Sequence, residues 1–221
     1  MGYAQSKLVA ETLCVKAAQQ TGLPARVLRI GQVVGDTEHG IWNTTEAIPL
    51  MIQAATTTGA LPELDEYHRW LPVNTVAGIV ADISLSTSLP VSEIKYQNEG
   101  GKGNENAQQI FNIINPSPFH WTRDLLPYLQ NAGLQFEQVE QRAWIKRLRE
   151  SNPDPVANPP IKLVDFFAAK YDTDTPKRAA GWETGRTRGV SATFRDEVGA
   201  LDQGVVGKMV GYFRGREGWA R

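Results

Sequence analysis

Residues 3 to 35 carry two patterns back to back, and together they admit few folds. From 3 to 20, apolar Leu8, Val9, Leu13, Val15 and Ala18 recur every three or four positions, and Gly22 with Pro24 ends the run. That spacing predicts a helix. Directly beyond it lies "ARVLRIGQVVG", 25 to 35, rich in β-branched residues and closed by glycine, which predicts a buried strand. A helix feeding straight into such a strand is half of a parallel-sheet crossover unit.

The remaining chain continues the alternation and then becomes mostly helical. "DTEHGIWN" (36–43) reads as a loop and 44–59 as a helix with a Thr cap. Residues 69–73 read as a short strand leading into a helix at 75–85. Residues 88–109 are polar and glycine-rich, and predict a surface loop. A strand at 110–116, a helix closed by Gly133, an alternating strand "QFEQVEQ" and a helix near 141–150 follow. A Pro-rich connector then leads to helices near 160–171 and 199–214. This order predicts an α/β fold with a helical lobe toward the C-terminal end.

The formal charge of −1 gives no overall attraction to nucleic acid or anionic membrane, and no apolar run reaches the roughly 20 residues of a membrane span. The N-terminal stretch has Gln5, Ser6, Lys7 and Glu11 where a secretion signal needs unbroken apolar residues. The single cysteine, Cys14, cannot form an internal disulfide. It fits a reducing, cytoplasmic setting and is expected to be a small buried hydrophobe. His39, His68 and His120 share no ligand spacing, so no metal site is expected; His39, in the loop, is the one that could contribute to a site.

Tyr3 and Lys7 are four residues apart, which places them on one face of a helix, one turn from each other. A cation beside a phenol favours its phenolate, which suits Tyr for proton transfer near neutrality. Spacing alone favours a plainer reading, a surface Tyr beside a solvated Lys.

The context changes that balance. "GYAQSKLVAE" (2–11), "RIGQVVG" (29–35), "GIWN" (40–43), "RWLPVN" (69–74) and "NPPIKLVDFFAAKY" (158–171) occur in this order. Together they resemble the thioester reductase domains of nonribosomal peptide synthetases, hybrid polyketide–peptide synthetases and carboxylic acid reductases. Those domains are extended short-chain dehydrogenase/reductases. The resemblance implies the C-terminal portion of an extended Rossmann-type reductase, an incomplete parallel sheet with a mostly helical substrate-binding lobe. Residues 1–35 and 68–116 would be the Rossmann-like remnant, and 36–67 with 117–221 the lobe. It implies that Tyr3 is the general acid at a carbonyl oxygen and that Lys7 supports it and binds the nicotinamide ribose. Ile30, Gly31 and Gln32 would supply backbone contacts to the nicotinamide of NADPH, with Trp42, Asn43 and His39 toward the substrate. Trp42 reads equally as a core aromatic. Asn74 stands where the family usually has Asp, and a helix cap is expected there.

Two family features have no counterpart in this sequence. The glycine-rich dinucleotide turn should lie well upstream of the Tyr; "GGKG" (100–103) has neither a strand before it nor a helix after it. The Ser or Thr that polarises the carbonyl should also lie upstream. The expectation is therefore a reductase part not competent for hydride transfer by itself, either a piece of a longer enzyme or a short protein derived from one. Two alternatives are open: a cofactor-independent cyclase or isomerase acting on a polyketide- or peptide-derived carbonyl substrate, carrier-bound or released, and a non-catalytic binding module of a synthetase. The expected partner is a carrier protein bearing a phosphopantetheine thioester, for which basic residues within 177–189 offer a docking surface. An incomplete sheet also predicts an exposed edge, covered or paired with a second copy.

Overall fold

A computed structural model describes residues 2–86, 110–172, 181–216 and 218–219. The expected loop at 88–109 and part of the basic segment 177–189 lie outside the described residues.

The chain opens with α1 (Gly2–Thr21), ended by Gly22 at φ 70°, whose N–H bonds the Ala18 carbonyl. It continues through β1 (Val27–Ile30), β2 (Val33–Val34), α2 (Ala47–Thr57), β3 (Ala60–Glu63), β4 (Tyr67–His68), β5 (Leu71–Pro72) and α3 (Val73–Leu85). Then come β6 (Ile110–Ile113), β7 (Phe119–His120), a π-helical turn at Trp121–Leu125, α4 (Leu126–Asn131), β8 (Glu137–Glu140) and α5 (Gln141–Arg149). A 3₁₀ turn at Pro159–Leu163 leads into α6 (Val164–Tyr171), and α7 (Gly185–Val190), α8 (Ala192–Asp196) and α9 (Gln203–Arg214) complete the order.

Three of the four strand pairs are parallel: β1 with β6, β2 with β5, and β3 with β8; β4 and β7 are antiparallel. The run expected as one buried strand is two, because the chain changes partners at Gly31. The Gly31 N–H bonds the Ile113 carbonyl, while the next carbonyl, that of Gln32, accepts from Leu71. Nor is β1 fully buried: Arg29 and Ile30 are exposed.

Two apolar clusters hold these pieces. A smaller one joins Leu71, Val76, Ile79, Ile83, Phe111, Ile113 and Phe194, so α3 and α8 pack beside β5 and β6. Asp82 ties α8 down by accepting from Ser191 Oγ at 2.7 Å and from the Thr193 N–H at 2.9 Å. The larger cluster surrounds β3 and includes Trp42, Trp70, Trp121, Trp144, Phe167, Phe213 and Trp219. Its indoles also serve the backbone: Trp144 Nε1 donates to the Ala60 carbonyl and Trp121 Nε1 to the Pro62 carbonyl. These bonds satisfy polar groups inside an apolar core.

The periodic apolar residues of α1 do not all point into a core. Only Val15 and Ala18 are buried, with Glu11 on the same face, while Leu8, Val9 and Leu13 are more than half exposed. Cys14 is exposed rather than a buried hydrophobe. The helix is anchored by Arg29 of β1, which makes two bonds to the Glu11 carboxylate at 2.9 and 2.5 Å. That pairing holds Glu11 below the usual carboxylate range, its Arg29 hydrogen bond outweighing burial. The α2 cap also differs from expectation: the helix starts after Glu46 without a side-chain cap.

Glycines 207 and 211 lie inside α9 with open space around each position a Cβ would occupy. Alanine there removes backbone freedom from the unfolded chain and adds helix propensity without a clash. Gly211→Ala is expected to stabilise the protein by about 0.5–1 kcal/mol, and Gly207→Ala similarly. Urea unfolding midpoints will check this; a lowered midpoint would contradict it.

Candidate functional site

Tyr3 and Lys7 lie in the first two turns of α1. The helix places the Lys7 Nζ 5.1 Å from the centroid of the Tyr3 ring, a cation–π contact along the helix surface. Ser6 Oγ donates to the Tyr3 carbonyl at 2.8 Å. Tyr3 is 78% exposed, so the pair meets water on an open helix face.

The second group expected at a site, Ile30 to Gln32, follows β1 at the C-terminal end of its strand pair. Such ends, where the chain leaves a parallel sheet, are the usual ligand crevices of α/β folds. Ile30 is 44% exposed there. The Gly31 backbone runs tight against β6: a Cβ at this position would stand 3.3 Å from Ile114 Cγ1 and 3.5 Å from the Ile113 carbonyl.

The loop from 35 to 43 is built around the Asp36 carboxylate. One oxygen accepts from the Glu38 and His39 N–H groups at 2.9 and 2.7 Å, and the other from Ile41 at 2.7 Å. Two outside braces hold the loop. Asn74 accepts from the Thr37 N–H and donates to its hydroxyl, while Lys208 Nζ donates to the Thr37 carbonyl at 2.7 Å. Asn74 is thus a strut between α3 and the loop and not a cap; the cap position of α3 is Pro72. Gly40, at φ 68°, lies directly on the backbone of Lys208 and Met209. Sequence reasoning passed over Asp36, Gly40 and Lys208. The Asp36-to-Gly40 spacing, an acceptor followed by polar residues and a glycine, is the local signal that could have revealed the first two.

The loop separates the three residues expected to face a substrate. Trp42 is 4% exposed and belongs to the large core, edge-on to Trp70 with ring centroids 5.6 Å apart, its Nε1 donating to Glu46. Asn43 folds back on its own turn, accepting from the Thr45 N–H and hydroxyl. His39 projects outward, with Nδ1 3.8 Å from Asp36 and 3.9 Å from Glu38. Among the described residues, the recorded polar and ring contacts of Tyr3 and Lys7 stay within α1.

The basic segment near 186 is structurally occupied. Arg186 donates to the Ile110 carbonyl, and Arg188 lies over the Phe194 ring.

The three N–H groups around Asp36, that of His39 first, hold its carboxyl below the usual range. A carboxyl depressed by folding contributes stability that is present above its unfolded value of roughly 3.9 and is lost as pH falls through the folded value. Amide protection factors at Glu38, His39 and Ile41, corrected for the intrinsic pH dependence of exchange, are therefore expected to fall on acidification below about pH 4. Asp36→Asn should remove that acid dependence; an unchanged profile would exclude Asp36 as its origin.

Lys7 and Tyr3 on α1 and the 30–32 backbone after β1 are the described residues that the expected nicotinamide contacts fall on. Among the described residues the strand-to-helix connections are 35–46 after β2 and the direct junctions after β5, β7 and β8, and none is a G-x-G-x-x-G turn.

Comparison with known proteins gives a consistent relationship. Residues 1–80 match an NAD-binding family model described as male sterility protein. The chain is 28% identical over 93% of its length to the non-canonical nonribosomal peptide synthetase ascB of Acremonium egyptiacum, covering 17% of that protein. It is 29% identical over 95% of its length to the citrinin polyketide synthase of Monascus ruber, covering 8% of it. The chain thus spans less than a fifth of these relatives. Among solved structures, the terminal R domain of the myxalamid PKS-NRPS pathway aligns with TM-score 0.73 at 20% identity, over 98% of this chain and 50% of that one. A thiolation-reductase di-domain from an archaeal nonribosomal peptide synthetase aligns with TM-score 0.63 at 16% identity, over 93% and 39%.

Proposed function

We propose that this chain, which belongs with the terminal reductase domains of peptide and polyketide synthetases in the extended short-chain dehydrogenase/reductase family, supplies the proton donor and carbonyl-substrate side of an NADPH-dependent thioester reductase. The observation that carries this reading is the Tyr3–Lys7 pair at the start of α1, on a helix that leads into a parallel strand. In this role Tyr3 Oη gives its proton to the carbonyl oxygen of the substrate as charge builds there, and Lys7 steadies the phenolate left behind. The bound nicotinamide, at the 30–32 backbone, would supply the hydride. The braced 36–43 loop forms one wall of the approach, with His39 as its outward polar group. The substrate is an acyl or peptidyl thioester delivered by a carrier domain, as the synthetase relatives suggest.

The exposure of Tyr3 and the lack of a G-x-G-x-x-G turn among the described residues favour a division of labour, in which this chain provides one side of the site and a nucleotide-binding unit the other. The second edge of β1, which has no strand partner among the described residues, is where such a unit would add.

The test is a titration of the 221-residue chain with NADPH, followed by tryptophan fluorescence. No micromolar binding is expected from the chain alone. Joined in frame behind the nucleotide-binding half of the myxalamid R domain, it should consume NADPH with a pantetheine thioester. Micromolar binding by the unaided chain would refute the division of labour. A chimera that binds NADPH but leaves the thioester untouched would refute the reductase reading.

A further inference from the structure

The stripe of α1 that carries Tyr3 and Lys7 continues one turn further, to Glu11. A phenol, an ammonium and a carboxylate therefore stand in line on one side of the helix. Lys7, in the middle, has two neighbours that attract its charge: the Tyr3 ring one turn before it and the Glu11 carboxylate one turn after it. A Lys followed four residues later by Glu attracts slightly less strongly than an exposed cation–π contact. A free Glu11 would accordingly hold the ammonium for a sizeable fraction of the time.

In the structure Glu11 is taken from outside the helix. Arg29 of β1 donates from Nε to Oε2 at 2.9 Å and from its terminal nitrogen to Oε1 at 2.5 Å. Both carboxylate oxygens are engaged, in the two-pronged geometry that a guanidinium provides and a lysine cannot. Lys7 Nζ lies over the Tyr3 ring. The same pair is also the anchor of the first half of α1. From Gly2 to Cys14 every residue except Glu11 is exposed, and the buried Val15 and Ala18 lie beyond it. Arg29 directly precedes Ile30, so two hydrogen bonds tie the helix that bears the phenol to the end of the strand.

We propose that Arg29 is a positioning residue, which by occupying both oxygens of Glu11 pins the first half of α1 to β1 and leaves Lys7 to Tyr3. It acts through the helix and through Lys7, not on the reacting atoms. Its consequence for turnover rests on the reductase reading above; its effect on Lys7 does not.

Proton NMR of the 221-residue chain tests the placement of Lys7, because ε-methylene protons held over an aromatic face are shifted upfield by the ring current. The parent should show this shift, and Tyr3→Leu should abolish it. Arg29→Leu frees Glu11 and should reduce the shift by roughly a third, the share a lone carboxylate wins in that competition. Adding Glu11→Leu removes the competitor, sets an apolar pair at the site and should return the shift to the parental value. Arg29→Lys, which keeps the charge but one prong only, should lose less than Arg29→Leu. A pair that only stabilised the fold would change the melting temperature and leave the Lys7 signal in place. In the chimera, Arg29→Leu should lower kcat about tenfold and change KM for the thioester less than about twofold, as expected of a misplaced proton donor. The proposal is overturned by an unchanged Lys7 shift in Arg29→Leu, or by a loss that Glu11→Leu does not recover. It is also overturned by a parental kcat in Arg29→Leu where Tyr3→Phe is slow. A reduced Lys7 shift in Arg29→Leu beside a Tyr3→Phe chimera of parental rate would instead keep the pair and sink the reductase reading.

Discussion

Gly40→Ala is expected to lower the melting temperature by roughly 10 °C, a loss on the order of 3–5 kcal/mol. The position combines two penalties. At φ 68° an L side chain pays about 1 kcal/mol or more for the left-handed conformation. The new Cβ would also fall 2.3 Å from the Lys208 carbonyl carbon and the Met209 nitrogen, and 2.4 Å from the Lys208 oxygen. All three are helix backbone atoms, so no rotamer change relieves the contact, and the loop must lift from α9. Lifting it strains the Lys208 to Thr37 bond and the closure of Asp36 on Ile41. Gly22 provides the internal control, since it has nearly the same φ, 70°, and nothing within 4 Å of its Cβ position. Gly22→Ala should therefore cost only the conformational share, about 1 kcal/mol. Thermal unfolding of both variants separates strain from collision; equal shifts would show that the contact with α9 is not what holds the loop.

The sequence was most legible where local chemistry settles the matter. The end of α1 follows from Gly22 and Pro24, and β8 and α5 lie where an alternating run gives way to a helical one. It was least legible where a distant partner decides. The β-branched run 25–35 does not record that Gly31 bonds β6 while Gln32 bonds β5, so one expected strand became two. The strand Ala60–Glu63 contains a proline and gives little local signal, yet pairing with β8 and two indole donors make it the centre of the core. Asn74 illustrates a real ambiguity, because the same amide that could cap a helix can brace a neighbouring loop. Periodicity identified the apolar residues of α1 but not which of them have a surface to cover, so Cys14 was expected inside and lies outside. For the candidate site, Tyr3 and Lys7 were found by motif, whereas the network that holds the loop depends on contacts 37 and 171 residues apart in sequence.

Tyr3→Phe should leave stability within about 0.5 kcal/mol of the parent and lower thioester reduction in the NADPH-competent assembly by roughly 10²–10⁴-fold. The two expectations have separate physical origins. The Tyr3 ring is 78% exposed, and its recorded contacts are the Lys7 cation over its face and the Ser6 bond to its backbone. Phenylalanine keeps the ring and the backbone, so folding loses little. What disappears is the one hydroxyl proposed to carry a proton to the carbonyl oxygen, and no other hydroxyl of α1 lies one turn from Lys7 on the Tyr3 side. Exposure also shapes the result. Water around an exposed pair screens the attraction between the Lys7 ammonium and charge on the Tyr3 oxygen. Proton delivery from Tyr3 thus becomes effective only when the first two turns of α1 are covered, which the nucleotide and substrate would do in the assembled site. The loss in Tyr3→Phe should accordingly be large in the chimera under saturating NADPH and thioester, and should appear in kcat more than in KM. A Tyr3→Phe enzyme turning over at the parental rate would leave α1 a structural helix and place the proton donor elsewhere.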